Sequence, residues 1–540
     1  MTVQGNGKAS AAVVALALAA TAVLTGCDMG MGTGTSAGGG TRAAPPPVRE
    51  GDAAQHLPGA LLEQRPDWQP CEGGGWTCAE VKVPLDYEAP DGATLSLALI
   101  RRPARDQDRR LGSLLFNFGG PGGSGVDGLP GFAPEYEKLN SRYDLVSFDP
   151  RGVARSSGVV CRSDREQEAA ASRVDLTPDT PAEEAVYFED AESFGAGCAA
   201  RSGPVLAHVG TSDAARDMDL IRHVLGDRKL NYFGISYGTE LGGTYAHLFP
   251  RNVGRTVLDA VVDPTADAIG HARNQTTGFQ RALDNYLTSR GEEPAAGSQR
   301  IVGLLERIDA RPLPADDGRR LTESLALTGI AMSLYSTGLW DELTEGLAEA
   351  EQRGRGTKLL ALADMYNDRD QKGRYDTQSH SQRAISCVDD RQRPTPAQAK
   401  ALLPEFRRIS PVFGEFLAWD TAGWCAKWPV PGERVTPEAS AKGADPILVV
   451  GTTGDPATPY EGARRMADEL GEGVGVLLTN KGEGHGGYSP RNRCLTEIVD
   501  SYLLDGKVPE DGSTCGEYAE GTGPFGSGPF PSARVTGQPG

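Results

Sequence analysis

One stretch, LNYFGISYGTELGGTYAHL from Leu230 to Leu248, constrains the fold more than any other part of the chain. Leu230 to Phe233 is a short, aromatic, strand-like run. Thr239 to Leu248 carries no proline and reads as a helix closed by Pro250. Between them, Gly234-Ile235-Ser236-Tyr237-Gly238 fits a sharp strand-to-helix turn that lifts a serine oxygen above a sheet. The two glycines stand where a side chain would collide as the chain doubles back. The pattern predicts a nucleophile at Ser236; the alternative is a small residue in a glycine-rich turn.

A serine hydroxyl is a poor nucleophile until a base takes its proton, so Ser236 calls for a histidine and an acid to orient it. Of the seven histidines, only His485, in Gly484-His485-Gly486-Gly487-Tyr488, lies in a glycine-rich loop shortly after a late strand. On sheets of this kind the acid lies between serine and histidine in the chain. Asp455, in Gly454-Asp455-Pro456-Ala457-Thr458, follows the apolar run Ile447 to Val450 and leaves room for one helix and one strand before His485. A plain turn role is its alternative. Thr458 is placed to hydrogen-bond that acid. Developing oxyanion charge needs donors. The expected ones are the N–H groups of Tyr237, next to the nucleophile, and of Gly120, in the loop Asn117-Phe118-Gly119-Gly120-Pro121-Gly122-Gly123 after an early strand. A phosphate-binding loop is the competing reading, but no Gly-Lys-Ser/Thr follows.

Short apolar runs at Leu114 to Phe118, Leu145 to Phe148, Leu230 to Phe233, Thr256 to Leu258, Ile447 to Val450 and Val474 to Leu478 read as buried parallel strands. Helical stretches such as Ala214 to Leu225 separate some of them, which makes the fold class α/β with a mostly parallel sheet. The rhythm breaks over 263–440, where amphipathic segments (Leu321 to Tyr335, Trp340 to Gln352) predict a large, mainly helical cap inserted into the core. The expected divisions are a signal segment 1–27, a flexible linker 28–55, core 56–262, cap 263–440, core 441–515 and a disordered tail 516–540.

The 540 residues carry 73 acidic and 54 basic groups, a net charge of −19 with no long basic cluster, which argues against nucleic acid or an anionic membrane surface as partner. At the N-terminus, Lys8 precedes an apolar run from Ala11 to Leu24, too short for the ~20 residues of a spanning helix. Leu24-Thr25-Gly26-Cys27 follows and resembles a bacterial lipobox, which would make Cys27 the lipidated first residue of an exported protein held to the membrane by its anchor alone. An ordinary secretory peptide is the alternative. The eight other cysteines suit four disulfides in an oxidising compartment. Sequence neighbours suggest Cys71–Cys78, Cys161–Cys198, Cys387–Cys425 and Cys494–Cys515, although eight cysteines allow 105 pairings. No Cys-x-x-Cys or histidine cluster points to a metal.

NFGGPGGSG, DPRGVARS (149–156), GISYGTELGG, GDPATPY (454–460) and GHGGY (484–488), in this order, resemble the secreted tripeptidyl aminopeptidase family, which is related to the proline iminopeptidases among the α/β-hydrolases. The resemblance spans about 60–510. It implies a Ser-Asp-His triad at Ser236, Asp455 and His485, an oxyanion loop over Gly119 to Gly122, and no cofactor. Two positions depart from the pattern: Asn117-Phe118 stand where relatives of the iminopeptidase type have a histidine, and Val153-Ala154 occupy a turn where a second glycine is common. Arg151 reads as a structural ion-pair partner. A free α-amine calls for carboxylates, and Asp389, Asp390, Asp341 and Glu342 are the candidates. The expected activity is release of short peptides, tripeptides by resemblance, from the free N-termini of peptide or protein substrates. A carboxylesterase or endopeptidase with the same triad and a non-catalytic peptide-binding lipoprotein are the rivals. The oligomeric state is not written in the sequence.

Overall fold

The computed structural model describes residues 57–516. The expected signal segment with Cys27, the linker and all but the first residue of the expected tail lie outside the described residues.

The chain enters through β1 (Gln69–Pro70), β2 (Thr77–Pro84) and β3 (Thr94–Arg102), followed by β4 (Gly112–Asn117), β5 (Tyr143–Phe148), β6 (Leu230–Ile235) and β7 (Val253–Asp259). Two-residue strands β8 (Leu313–Pro314) and β9 (Arg320–Leu321) pair only with each other; β10 (Ile447–Gly454), β11 (Gly475–Glu483) and β12 (Ser513–Cys515) complete the main sheet. Its spatial order is β1-β2-β3-β5-β4-β6-β7-β10-β11-β12. The first three pairings are antiparallel and all those from β5 to β12 parallel. The six expected strands are β4, β5, β6, β7, β10 and β11. They read as continuous apolar runs because both faces are covered. Leu115, Val146 and Val449 enter one core while Leu114, Leu145 and Leu448 enter the other.

Helices Thr211–Val224, Tyr237–Leu248 and Tyr460–Leu470 cover the first face through Met218, Leu241 and Met466. Gly125–Phe132 and Arg493–Asp505 cover the second through Leu129 and Val499. Between β7 and β10 the chain forms a run of helices from Ala268 to Gly423, interrupted only by the β8–β9 pair and loops. Most of these helices share a separate core built on residues such as Leu283, Leu304, Ile330, Leu359 and Phe406. This is the helical cap. β6 and β7 therefore stand before the insertion, β10 and β11 after it.

Arg151, fully buried, forms the expected ion pair: its Nε and Nη2 donate to Asp217 Oδ2 and Oδ1, each at 2.7 Å, and its Nη1 and Nη2 also reach the Leu85, His208 and Pro84 carbonyls. All four disulfides follow the expected pairing, Cys71–Cys78, Cys161–Cys198, Cys387–Cys425 and Cys494–Cys515, with sequence separations of 7, 37, 38 and 21.

Candidate active site

Ser236 caps β6 and starts the helix Tyr237–Leu248, with φ 59° and ψ −125°, a conformation that L side chains rarely adopt. The surroundings hold it there. Its N–H donates to Asp259 O at the end of β7 (3.0 Å), and its carbonyl accepts from Thr239 N (2.8 Å) and Thr239 Oγ1 (2.6 Å). A Cβ on Gly234 would stand 2.3 Å from Gly238 O, and one on Gly238 would stand 2.5 Å from Asn117 O, so both glycines of the turn are required by close approach. Ser236 itself is half-buried and faces a cavity of about 570 Å³ between sheet and cap.

The loop after β4 lies directly against this turn. Gly119, at φ +91°, passes so close that a Cβ there would meet Ser236 Cβ at 2.8 Å and Tyr237 N at 3.1 Å. Asn117 shapes the loop by accepting Gly119 N–H through its side-chain oxygen (3.0 Å), a role that the sequence alone does not reveal. Gly120 and Tyr237 line the cavity beside Ser236. Neither of their N–H groups donates to a protein acceptor among the described residues. Two donors at the positive end of a helix and on a tight loop suit an oxyanion.

Asp455 follows β10 and is wholly buried. Its Oδ1 accepts Ala457 N (3.0 Å) and Thr458 N (2.9 Å); its Oδ2 accepts Thr458 Oγ1 (3.0 Å) and Gly486 N (3.2 Å). His485 Nδ1 lies 2.9 and 3.0 Å from the two oxygens, and Thr458 Oγ1 lies 3.3 Å from the same nitrogen. Burial disfavours the imidazolium, but the Asp455 charge and hydrogen bond outweigh it and raise the His485 pKa above its ordinary 6.5. Thr458, which contacts both members of the pair, and Tyr335, which packs on the imidazole, line the same cavity as Ser236.

Two residues that sequence reasoning missed fix the histidine loop. Asp259 receives Gly487 N–H on both oxygens (2.9 and 3.0 Å) and Tyr488 N–H at 2.8 Å, while its own carbonyl holds Ser236. Burial, only partly offset by those N–H bonds, raises its pKa to about 6. Tyr335 of the cap accepts His485 N–H at its carbonyl (2.9 Å) and sets its ring edge-on to the imidazole, 5.3 Å between centroids.

The four carboxylates expected to meet an amine fare differently. Asp341 and Glu342 are exposed and do not line the cavity; Asp341 pairs with Arg290 at 2.8 Å, so the solvated helix face wins there. Asp389 and Asp390 do line it. Asp389 is engaged by Thr211 N (2.7 Å) and Thr211 Oγ1 (2.5 Å), with Arg434 at 3.6 Å, and Asp390 accepts Gln392 N at 2.8 Å. Away from the cavity lining, Asp175, Asp309 and Glu323 bring carboxylate oxygens within 4.8 Å of one another, the one such group among the described residues.

Comparison with known proteins places the chain among the α/β-hydrolases. The model of the alpha/beta hydrolase fold matches residues 112–300, and that of the TAP-like protein family matches residues 410–515. Serine protease Hip1 of Mycobacterium tuberculosis is 39% identical over 486 residues, covering 84% of this chain and 91% of that one. Carboxylesterase B of the same species is 36% identical over 510 residues (88% and 96%), and tripeptidyl aminopeptidase of Streptomyces lividans 30% over 478 residues (84% and 87%).

Proposed function

We propose that this chain, which belongs to the tripeptidyl aminopeptidase family of α/β-hydrolases and is a serine hydrolase, is an exported exopeptidase that releases short peptides, tripeptides foremost, from free N-termini. The observation that carries the mechanism is the buried Asp455–His485 pair, whose contacts Thr458 and Tyr335 line the same cavity as a serine in a strained strand-to-helix turn. Ser236 Oγ attacks the carbonyl and His485 takes its proton. Asp455 holds the imidazole in the tautomer with hydrogen on Nδ1 and stabilises the imidazolium. The N–H groups of Gly120 and Tyr237 receive the oxyanion. His485 then protonates the leaving amine, and water releases the acyl group by the reverse sequence.

Export is supported by four disulfides and by the apolar run before Cys27, the proposed lipid anchor. A carboxylesterase using the same three residues is the second reading, favoured by the relative of that name. The test is cleavage of a free-amine tripeptide anilide, its N-blocked twin and a short acyl ester, with Ser236→Ala as control. The proposal expects rapid cleavage of the free-amine peptide and loss of all activity and of fluorophosphonate labelling in the variant. Activity confined to the ester would replace the peptidase with an esterase, and labelling that survives in Ser236→Ala would remove Ser236 from the mechanism.

A further inference from the structure

Seven carboxylates line the cavity: Asp190, Glu240, Asp263, Asp267, Asp389, Asp390 and Asp420. Six are occupied. Asp190 pairs with Arg162 at 2.8 Å and Glu240 with Arg434 at 2.5 Å; Asp263 holds Arg465, Asn274 and Thr265. Asp267 accepts from Gly270 N and Gln392 Nε2, while Asp389 and Asp390 have the partners given above. Asp420, on the cap helix Gly414–Gly423, is the exception. Among the described residues its carboxylate has neither a hydrogen bond nor an ion pair, and it is half-buried on the cavity wall. The nearby Arg383 donates from Nε to Trp424 O (2.5 Å) and from Nη2 to Gly423 O (2.9 Å), with its guanidinium over the rings of Phe194 and Trp424, and makes no ion pair with Asp420.

We infer that Asp420 binds the free α-amine of the substrate and thereby sets exopeptidase specificity, an inference that rests on the peptidase reading above. A half-buried carboxylate without a partner is costly unless a cation completes it, and a peptide ammonium supplies both charge and donors. Burial raises the Asp420 carboxyl to about 6 even though Arg383 acts to lower it, which an incoming ammonium would reverse.

Glu240, four residues along the helix from Ser236 and nearer to it in the chain, is already paired with Arg434 and so is the poorer candidate for an amine.

The test compares kcat/KM for trialanine 4-nitroanilide, its N-acetyl twin and 4-nitrophenyl butyrate in the parent, Asp420→Asn and Asp420→Glu. Removing one charge-assisted contact should lower the free-amine value in Asp420→Asn by about 10- to 100-fold, mainly through KM. The acetylated peptide and the ester should stay within about threefold. Asp420→Glu, which keeps the charge, should retain a higher free-to-blocked ratio than Asp420→Asn. An unchanged ratio in Asp420→Asn, or equal ratios in the two variants, overturns the assignment while leaving the exopeptidase intact. A parent enzyme that cleaves free and blocked peptides equally overturns the exopeptidase reading, and the assignment with it.

Discussion

Replacing Asp259 by asparagine separates two effects of one buried carboxylate. The anion serves Gly487 N–H with both oxygens and Tyr488 N–H with one. An amide has a single oxygen, and turning it to Tyr488 sets its NH2 against the Gly487 N–H. The pKa of the parent carboxyl is raised from 3.8 to about 6 with those N–H bonds already counted, so the charge is a net cost of about 3 kcal/mol at pH 8. The neutral amide escapes that cost but leaves an N–H opposed and unsatisfied, at about 1–3 kcal/mol. The two effects nearly cancel, so at pH 8 the variant should unfold in urea within about 2 kcal/mol of its parent. The sign of the pH dependence then separates them. A carboxyl raised on folding contributes stability that is fully present below about pH 4 and is lost as pH rises through 6. On going from pH 8 to pH 5 the parent should therefore gain about 1 kcal/mol relative to the Asp259→Asn variant. Activity has no such cancellation. The same N–H bonds hold the His485 loop against the Ser236 turn, and ester hydrolysis should fall by roughly tenfold or more, since small misplacements of a base are costly. An unfolding difference that is identical at pH 5 and pH 8, or full activity in the variant, would refute the reasoning.

The raised His485 pKa sets the acid limb of activity, because only neutral imidazole accepts the serine proton: kcat/KM should decline as pH falls through a value above 6.5. In Asp455→Asn the burial effect is opposed only by the weaker Asp259 charge, so that limb should move to lower pH while kcat drops by about four orders of magnitude, readable with the chromogenic ester. Arg151→Met leaves the Asp217 carboxylate buried without its partner and should cost about 3–5 kcal/mol in chemical unfolding. Asp217→Leu added to it should recover much of the loss.

What the sequence discloses follows from how local each signal is. Ser236, Asp455 and His485 each stand in a turn that directly follows a strand, and the apolar runs of β4 to β7, β10 and β11 are continuous because helices cover both faces. The hairpin β2–β3 escapes a search for such runs because buried Val81 and Val83 alternate with exposed Glu80 and Lys82; its alternation is unlike the continuous apolar runs of the parallel strands. β12 has three residues and no apolar run, and Cys515 joins it to Cys494. Asp259 hides at the end of an ordinary strand, since its partners Gly487 and Tyr488 are more than two hundred residues away in the chain. Local sequence does not distinguish Asp389 from Asp420. Thr211 and Arg434, both remote in sequence, occupy the first, and nothing local marks the second as unoccupied.

The four disulfides are strictly sequential: no bridge encloses or crosses another, and the widest joins residues only 38 apart. A chain threaded N-terminus first through a membrane can therefore complete each bridge before the next cysteine emerges. The correct partner is always the last thiol delivered, so the order of translocation itself selects one arrangement out of 105. On the export proposed above, translocation and oxidation would form a single directional process, with little call for later reshuffling around the active-site cleft.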